Sequence, residues 1–113
     1  MSMYKAILCD LDGTLLTNDK KMSKENINAV HSAMENGVLF AVSSGRSNMS
    51  LDVIYEKNGF TDIDHYICYN GGKACNRKTK EILFEYLLEQ QLTRAILDIV
   101  KKYDCADCNT MLY

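Results

Sequence analysis

The sequence predicts an α/β fold built on a parallel sheet, and two observations lead to this prediction. Three short apolar runs, at residues 4–9, 38–42 and 65–69, alternate with two segments of helical periodicity. Strands that alternate with helices in this way are typical of a parallel sheet with right-handed crossovers. In addition, each apolar run ends in a polar loop that contains glycine.

The first strand, residues 4–9, is apolar on both faces, which predicts a buried strand of the parallel type. A helix follows it. Ser23 is its predicted N-cap, apolar residues such as Ile27 and Val30 recur at helical spacing, and Gly37 is its predicted end.

The next two strands are predicted at residues 38–42 and 65–69, and both are rich in apolar side chains. Between them we expect a helix from Ser47 to Lys57, because Asn58 and Gly59 supply a typical helix end. The order up to residue 69 is therefore strand, helix, strand, helix, strand.

After Gly72 the pattern changes, and residues 73–75 and 81–84 flank a polar turn, which predicts a β-hairpin. An amphipathic helix is predicted over residues 89–103, with a stripe expected to face a core. The apolar stripe of this helix consists of Leu92, Ile96, Ile99, Val100 and Tyr103. We expect residues 104–113 to begin another strand.

Composition narrows the possible classes of protein. A length of 113 residues fits one domain, or one domain and part of a second. A net charge of -2 provides no attraction to nucleic acid or to an anionic membrane, so we expect neither as a partner. With five cysteines and no apolar run long enough for a signal or a membrane span, we expect a cytoplasmic protein. The spacing of Cys105 and Cys108 favours chance over a zinc or redox site.

The three predicted strands end in loops at residues 10–14, 43–46 and 70–72. Ligands of open α/β sheets bind outside the carboxyl ends of the strands, so three polar loops at one edge predict a site. Asp12-Gly13 is also a common hairpin turn. A small flap anchored by Leu15 and Leu16 remains compatible with the parallel sheet.

Asp10 and Asp12 suggest the chemistry of this site, because two close carboxylates repel each other unless a cation lies between them. Mg²⁺ binds through one or two carboxylates together with phosphate oxygens. One carboxylate can attack phosphorus, and a second can protonate the leaving oxygen and then activate water. Gly13 permits the tight turn, and the Ser44 hydroxyl with nearby backbone N–H groups suits a phosphate oxygen. Arg46 is either a surface charge or a substrate anchor.

Two other classes of site are excluded because the residues that they need do not occur at the required positions. An EF-hand that starts at Asp10 needs glycine and glutamate where this chain has Leu15 and Lys21. A phospho-receiver domain needs an aspartate after the third strand, where this chain has Asn70.

The motifs DLDGTLL at 10–16, AVSSGR at 41–46 and ICYNGG at 67–72 resemble the haloacid dehalogenase (HAD) superfamily, Cof-like subfamily with a type IIB cap. The resemblance implies a Rossmann-like, doubly wound parallel sheet with the start of an α/β cap domain. It also implies a Mg²⁺-dependent phosphatase that acts on small phosphorylated metabolites, often sugar phosphates, through an aspartyl-phosphate.

By this resemblance Asp10 is the nucleophile and Asp12 the general acid and base. The Asp10 carboxylate and the Asp12 backbone carbonyl would hold Mg²⁺, and Ser44 would bind the phosphoryl group. Arg46 and Asn70 would line the site near the cap. The predicted phosphate and substrate-binding residues are Gly13, Thr14, Ser44, Gly45, Arg46, Asn70 and Gly71.

The sequence also departs from the family pattern, because it has neither the third-motif lysine nor the Gly-Asp of a fourth motif. We therefore expect the N-terminal part of a phosphatase, with residues 1–84 in the core and 85–113 at the start of the cap, inactive alone. The alternatives are a non-catalytic module that binds Mg²⁺ or phosphate, and a piece that associates with a partner chain. The resemblance also implies that one neighbour of the first strand would come from beyond the cap, which leaves that strand with an open edge and predicts self-association.

Overall fold

The computed structural model describes residues 3–103 of the chain, which form one five-stranded sheet and three helices. In chain order the elements are β1 Ala6–Cys9, α1 Lys24–Glu35, β2 Leu39–Ser43, α2 Asn48–Lys57, β3 His65–Cys68, β4 Lys73–Asn76, β5 Ile82–Glu85 and α3 Gln90–Lys102.

The strands lie side by side in the order β1-β2-β3-β4-β5. The first three are parallel, with Cys9 opposite Val42 and Val42 opposite Tyr66, whereas β4 and β5 continue the sheet as an antiparallel hairpin. The predicted α/β fold class is confirmed, and so are the predicted strands, helices and hairpin. Among residues 3–103, β1 has no strand on its other side.

The predicted helix ends are also found. The Ser23 hydroxyl accepts a hydrogen bond from the Asn26 N–H at 3.1 Å, and the Ser47 hydroxyl accepts one from the Ser50 N–H at 3.3 Å. Such bonds satisfy N–H groups that a helix start leaves without a partner. After α1 the chain turns at Gly37 with a φ of +79°, a value that glycine adopts without strain.

The core lies between the helices α1 and α2 and one face of the sheet, which we call the helix-covered face. Phe40, Val42 and Tyr66 project from this face and pack in the same buried cluster as Leu51 and Tyr55 of α2. The Tyr55 hydroxyl accepts a hydrogen bond from the Val42 N–H at 3.0 Å and donates one to the His65 carbonyl at 3.1 Å. Burial raises the pKa of Tyr55, which keeps the hydroxyl protonated as a donor.

Two predictions of burial are wrong. In β1, Ile7 is 40% exposed and Leu8 is 59% exposed, because the strand lies at the sheet edge and the helices cover only one face. In α3 no described residue is buried, because little of residues 3–103 packs against the helix. Apolar periodicity predicts which side chains share a surface, but it does not show that another element covers that surface.

The strand predicted to begin within residues 104–113 lies outside the described residues, and so does the Cys105–Cys108 pair. Within residues 3–103, none of the helices is long and apolar enough to cross a membrane.

Candidate active site

The carboxyl ends of the three parallel strands meet at one edge of the sheet, as predicted. Asp10 follows β1, Ser44 follows β2, and a short turn at Tyr69–Gly71 follows β3. The strand register places these ends side by side, since Val42 is paired with both Cys9 and Tyr66.

The first loop is a wide turn at Leu11–Leu15, closed by a hydrogen bond from the Leu16 N–H to the Leu11 carbonyl at 2.9 Å. Leu11 and Leu15 are buried and anchor the turn to the core. Gly13 has a φ of +76°, so a side chain at this position would be strained. Asp10 is exposed, and its Oδ1 accepts a hydrogen bond from the Leu11 N–H at 2.8 Å.

A small flap, residues 16–22, follows this turn. Leu16 and Met22 form an antiparallel bridge at its base, and the Thr17 N–H donates to the Lys21 carbonyl at 2.7 Å. The flap that the sequence left open as an alternative, with Leu15 and Leu16 at its base, is therefore present. Lys20 in its turn has a φ of +59°, in the left-handed region that non-glycine residues seldom occupy.

The Asp12 carboxylate is bound by two cations. Its Oδ2 accepts from Arg46 Nε at 2.7 Å, and its Oδ1 accepts from Arg46 Nη2 at 2.7 Å and from Lys20 Nζ at 3.0 Å. These hydrogen bonds, from Arg46 first and Lys20 second, hold the pKa of Asp12 well below its usual range. The same pairing raises the pKa of Arg46. The arrangement favours the charged form of Asp12 for as long as both cations are paired with it.

Ser44 is buried and held by its neighbours. Its N–H donates to the Ile67 carbonyl at 3.0 Å, and its carbonyl accepts from the Asn70 N–H at 3.1 Å. Its Oγ accepts from the Arg46 N–H at 3.2 Å. The backbone N–H groups of Ser44 and Arg46 therefore already have acceptors within the chain. The hydroxyl hydrogen of Ser44 remains available for donation to a ligand.

Gly45 and Asn70 are in close contact. A Cβ atom at position 45 would lie 2.8 Å from Oδ1 of Asn70, so only glycine fits here without a shift of the asparagine. Asn70 has a φ of +52°, a conformation that asparagine tolerates better than most residues. The Tyr69 N–H donates to the Arg46 carbonyl at 3.0 Å, which joins the second loop to the third.

These contacts connect the predicted residues Asp12, Ser44, Gly45, Arg46 and Asn70 into one network, with Asp10 two positions from Asp12. Within residues 3–103, Thr14 and Gly71 form no hydrogen bond or ion pair with that network. Sequence reasoning missed Lys20 as a partner of Asp12. The signal was the predicted flap, which returns the chain towards the first loop and carries two lysines.

The oxygen atoms of this site fit a Mg²⁺ ion that is bound by only one or two protein groups. No group of three His, Cys, Asp or Glu side chains within residues 3–103 could bind a metal ion. Mg²⁺ in phosphate-handling sites needs only one or two protein carboxylates, with phosphate oxygens and water as its other ligands. Arg46 and Lys20 bind the Asp12 carboxylate, whereas within residues 3–103 the Asp10 carboxylate is paired with no lysine or arginine and is available to a cation.

Comparison with known proteins agrees with this geometry. The profile of the haloacid dehalogenase-like hydrolase family matches residues 7–113. The chain is 32% identical over 98 residues to YxeH of Bacillus subtilis, which covers 86% of this chain and 36% of that protein. It is 29% identical over 94 residues to 5-amino-6-(5-phospho-D-ribitylamino)uracil phosphatase YwtE of the same organism, covering 83% of this chain and 31% of YwtE. A Yersinia enterocolitica HMP-PP phosphatase is 30% identical over 74 residues, or 66% of this chain and 26% of that enzyme.

Solved structures show the same fold. A haloacid dehalogenase-like hydrolase from Bacteroides thetaiotaomicron superposes with a TM-score of 0.79 at 25% identity, over 89% of this chain and 38% of that one. A second, from B. subtilis, gives 0.78 at 28% identity, over 88% and 34%. The chain thus spans about a third of the length of these proteins. Its strand-end loops and the family match over residues 7–113 establish that the chain belongs to the haloacid dehalogenase-like hydrolases.

Proposed function

We propose that this protein is a Mg²⁺-dependent phosphatase that hydrolyses phosphate monoesters of small metabolites through an aspartyl-phosphate. The observation that carries the proposal is the strand-end network. Asp10 follows β1, the charged Asp12 lies two residues further, and Ser44 is fixed between the second and third loops. A nucleophile, a proton-transfer group and a hydroxyl donor at one edge of a sheet are the parts that phosphoryl transfer through an enzyme carboxylate needs.

In the proposed reaction the Asp10 carboxylate attacks phosphorus and the bond from phosphorus to the ester oxygen breaks. Asp12, which takes up a proton from solvent once Arg46 or Lys20 has turned away from it, gives that proton to the departing oxygen and so releases an alcohol. Water then attacks the aspartyl-phosphate, and Asp12 takes its proton, which regenerates Asp10 and frees phosphate. The ion pair with Arg46 supports the second step, because it holds Asp12 in the form that accepts a proton. The first step needs Arg46 or Lys20 to turn from Asp12 to the incoming phosphoryl oxygens.

The Asp10 carboxylate and the Asp12 backbone carbonyl would hold the Mg²⁺. When bound, the ion would reduce the repulsion between the Asp10 carboxylate and a phosphoryl group. Ser44 would donate its hydroxyl hydrogen to a phosphoryl oxygen, and Asn70 would lie beside it at the opening of the site.

The names of two relatives support the substrate class. YwtE is named as a phosphatase of 5-amino-6-(5-phospho-D-ribitylamino)uracil, and the Yersinia protein as a phosphatase of HMP-PP. We propose a small phosphorylated metabolite, with sugar phosphates included, as the substrate of this protein, and the cytoplasm as its location.

We further propose that residues 1–84 form part of the catalytic core and that residues 85–113 begin a cap. The exposed apolar stripe of α3 supports this division, because no residue of α3 is buried against the rest of residues 3–103. The 113-residue chain alone should have very low turnover. It contains neither the third-motif lysine nor the fourth-motif aspartates that would stabilise the transferring phosphoryl group. Loss of one charge-stabilising side chain commonly lowers the rate by about a hundredfold or more.

The test is the Asp10→Asn variant of the full-length protein, assayed for Mg²⁺-dependent hydrolysis of p-nitrophenyl phosphate. Hydrolysis should fall by about a thousandfold or more because the amide cannot act as the nucleophile. The matched control is Asp62→Asn, which removes a surface carboxylate paired with His31 at 3.1 Å and should keep full activity.

Full activity in Asp10→Asn would overturn the assignment of the nucleophile. A wild-type protein that binds Mg²⁺ and phosphate in calorimetry, yet hydrolyses no phosphate ester, would instead support the non-catalytic binding module.

A further inference from the structure

A groove runs between the flap (residues 16–22) and helix α2, next to the candidate active site. Its volume is about 1090 Å³. At one end lie Arg46 and Lys20, the two cations that pair with Asp12. At the other end the Met22 N–H donates to Oδ1 of Asn58 at 3.2 Å, which ties the flap to the end of α2. Contacts at both ends therefore hold the two walls of the groove together.

The lining of this groove has an apolar part, which we call its floor, and a cationic part, which we call its edges. Leu16 and Met22 of the flap and Ile54 of α2 belong to the floor. Lys21 and Lys57 belong to the edges, and within residues 3–103 neither ammonium group is paired with a carboxylate. Asp19 is the only acidic residue in the lining. The groove therefore carries a net positive charge, although the net charge of the whole chain is -2. A local concentration of positive charge attracts an anion.

We infer that this groove binds the organic part of the substrate, and that this part is a flat or aliphatic apolar body with an acidic group of its own. The inference rests on the proposed function. An ester whose phosphoryl group lies at Ser44 would pass Arg46, whose guanidinium contacts both Asp12 and the Ser50 hydroxyl at the start of the groove. Its apolar body would cover the floor, and its second negative charge would lie beside Lys57 and Lys21.

The combination of apolar floor and cationic edges separates this groove from the apolar pocket on the uncovered face of the sheet. That pocket has a volume of about 290 Å³ and is lined by residues such as Leu39 and Phe84, with no lysine or arginine in its lining. It therefore offers an anion no lysine or arginine charge. The groove should bind an apolar anion more tightly than its neutral analogue, whereas the sheet pocket should not.

The test is amide NMR of the 113-residue chain with naphthalene-2-sulfonate, an apolar anion that carries no phosphate. We expect the backbone signals of Ile54, Lys57 and Gly59 to shift with a Kd on the order of 1 mM. The neutral analogue 2-naphthol should bind these positions at least about threefold more weakly. Lys57→Gln should weaken sulfonate binding about threefold, and Lys21→Gln with Lys57→Gln about tenfold. Lys101→Gln on α3 is the matched control and should leave the Kd unchanged.

A separate titration with inorganic phosphate distinguishes this inference from the proposed function. Phosphate shifts at Ser44 and Gly45 without sulfonate shifts in the groove would overturn the groove assignment and leave the phosphatase proposal standing. Sulfonate shifts in the groove without phosphate shifts at Ser44 would count against the phosphatase site instead. Sulfonate shifts confined to Leu39 and Phe84, or an unchanged Kd in the double lysine variant, would overturn the inference directly.

Discussion

The two faces of the sheet differ in what lies against them. On the helix-covered face, Phe40, Val42 and Tyr66 are at most 5% exposed, because α1 and α2 pack across them. On the opposite face, which we call the open face, Leu8, Leu39 and Phe84 are 59%, 48% and 39% exposed. In β2 the exposed Leu39 and the buried Phe40 are neighbours on one strand, so the difference there arises from the helices that cover one face and not from the strand itself.

This difference shows how the stability of the chain is distributed. Burial of apolar surface stabilises a fold in proportion to the area removed from water, so the helix-covered face supplies most of the stabilisation. The open face is an apolar surface that gains little from folding. The loops of the candidate site leave the sheet at its carboxyl edge, and the helix-covered face keeps that edge in position because Leu11, Leu15 and Leu51 belong to its core.

The largest expected effect comes from truncation on the helix-covered face. Leu51 is fully buried, so Leu51→Ala should lower the free energy of unfolding by about 2–5 kcal/mol, through lost burial and the cavity that remains. The matched change on the open face, Leu39→Ala, removes the same atoms from a side chain that is 48% exposed and should cost less than about 1 kcal/mol. Urea unfolding followed by circular dichroism measures both.

Equal losses in the two variants would show that the open face is buried in solution, and the comparison of the faces would then be wrong. A change in the slope of the urea transition, with no change in its midpoint, would point to the denatured state instead.

The sequence predicted the helices and strands because their signals are local. The cap at Ser23, the helix start near Ser47 and the stop at Gly37 depend on a few neighbouring residues, and the structure has all three. Coverage of a face depends on distant parts of the chain, which explains why the predicted burial of β1 and α3 was wrong.

The same distinction applies to the site. Asp10, Asp12 and Ser44 could be found because strand ends and motif spacing are visible in the sequence. The pairing of Asp12 with Lys20 and Arg46 could not, because it depends on how the flap turn and the loop after β2 approach each other. The contact between Gly45 and Asn70 joins residues 25 positions apart and depends on the parallel register of β2 and β3.

The second prediction concerns pH and the helix-covered face. Cys68 is fully buried there, and burial raises the pKa of its thiol from 9.0 to about 11. The folded state thus holds this proton more tightly than the unfolded chain does. Its contribution is complete below pH 9 and is lost as the pH rises from about 9 through 11, by about 2–3 kcal/mol in total.

The measurement is urea unfolding at pH 7, 9, 10 and 11 in the presence of a reductant. Cys68→Ala is the control. It lacks the thiol, so its stability should fall less steeply between pH 9 and 11. Burial also raises the pKa of Tyr55 and Tyr66, so both proteins lose further stability from about pH 10 upward. Parallel curves for the two proteins would contradict the prediction.

The smallest expected effect concerns the open face and the edge of β1. Among residues 3–103 no strand pairs with the outer side of β1, and Leu8 projects from the same strand onto the open face. An unpaired strand edge beside exposed apolar side chains is a template for pairing with another chain. We therefore expect the 113-residue chain to self-associate, most simply as a symmetric dimer through β1.

Leu8→Lys should weaken that dimer about tenfold, because it places a charge in the contact. Met49→Lys is the matched control: Met49 lies on α2, is 64% exposed, and should leave the dissociation constant unchanged. Light scattering over a dilution series measures both variants. A clean monomer at tens of micromolar in the wild-type chain, or equal weakening in the two variants, would show that the open face and the β1 edge take no part in association.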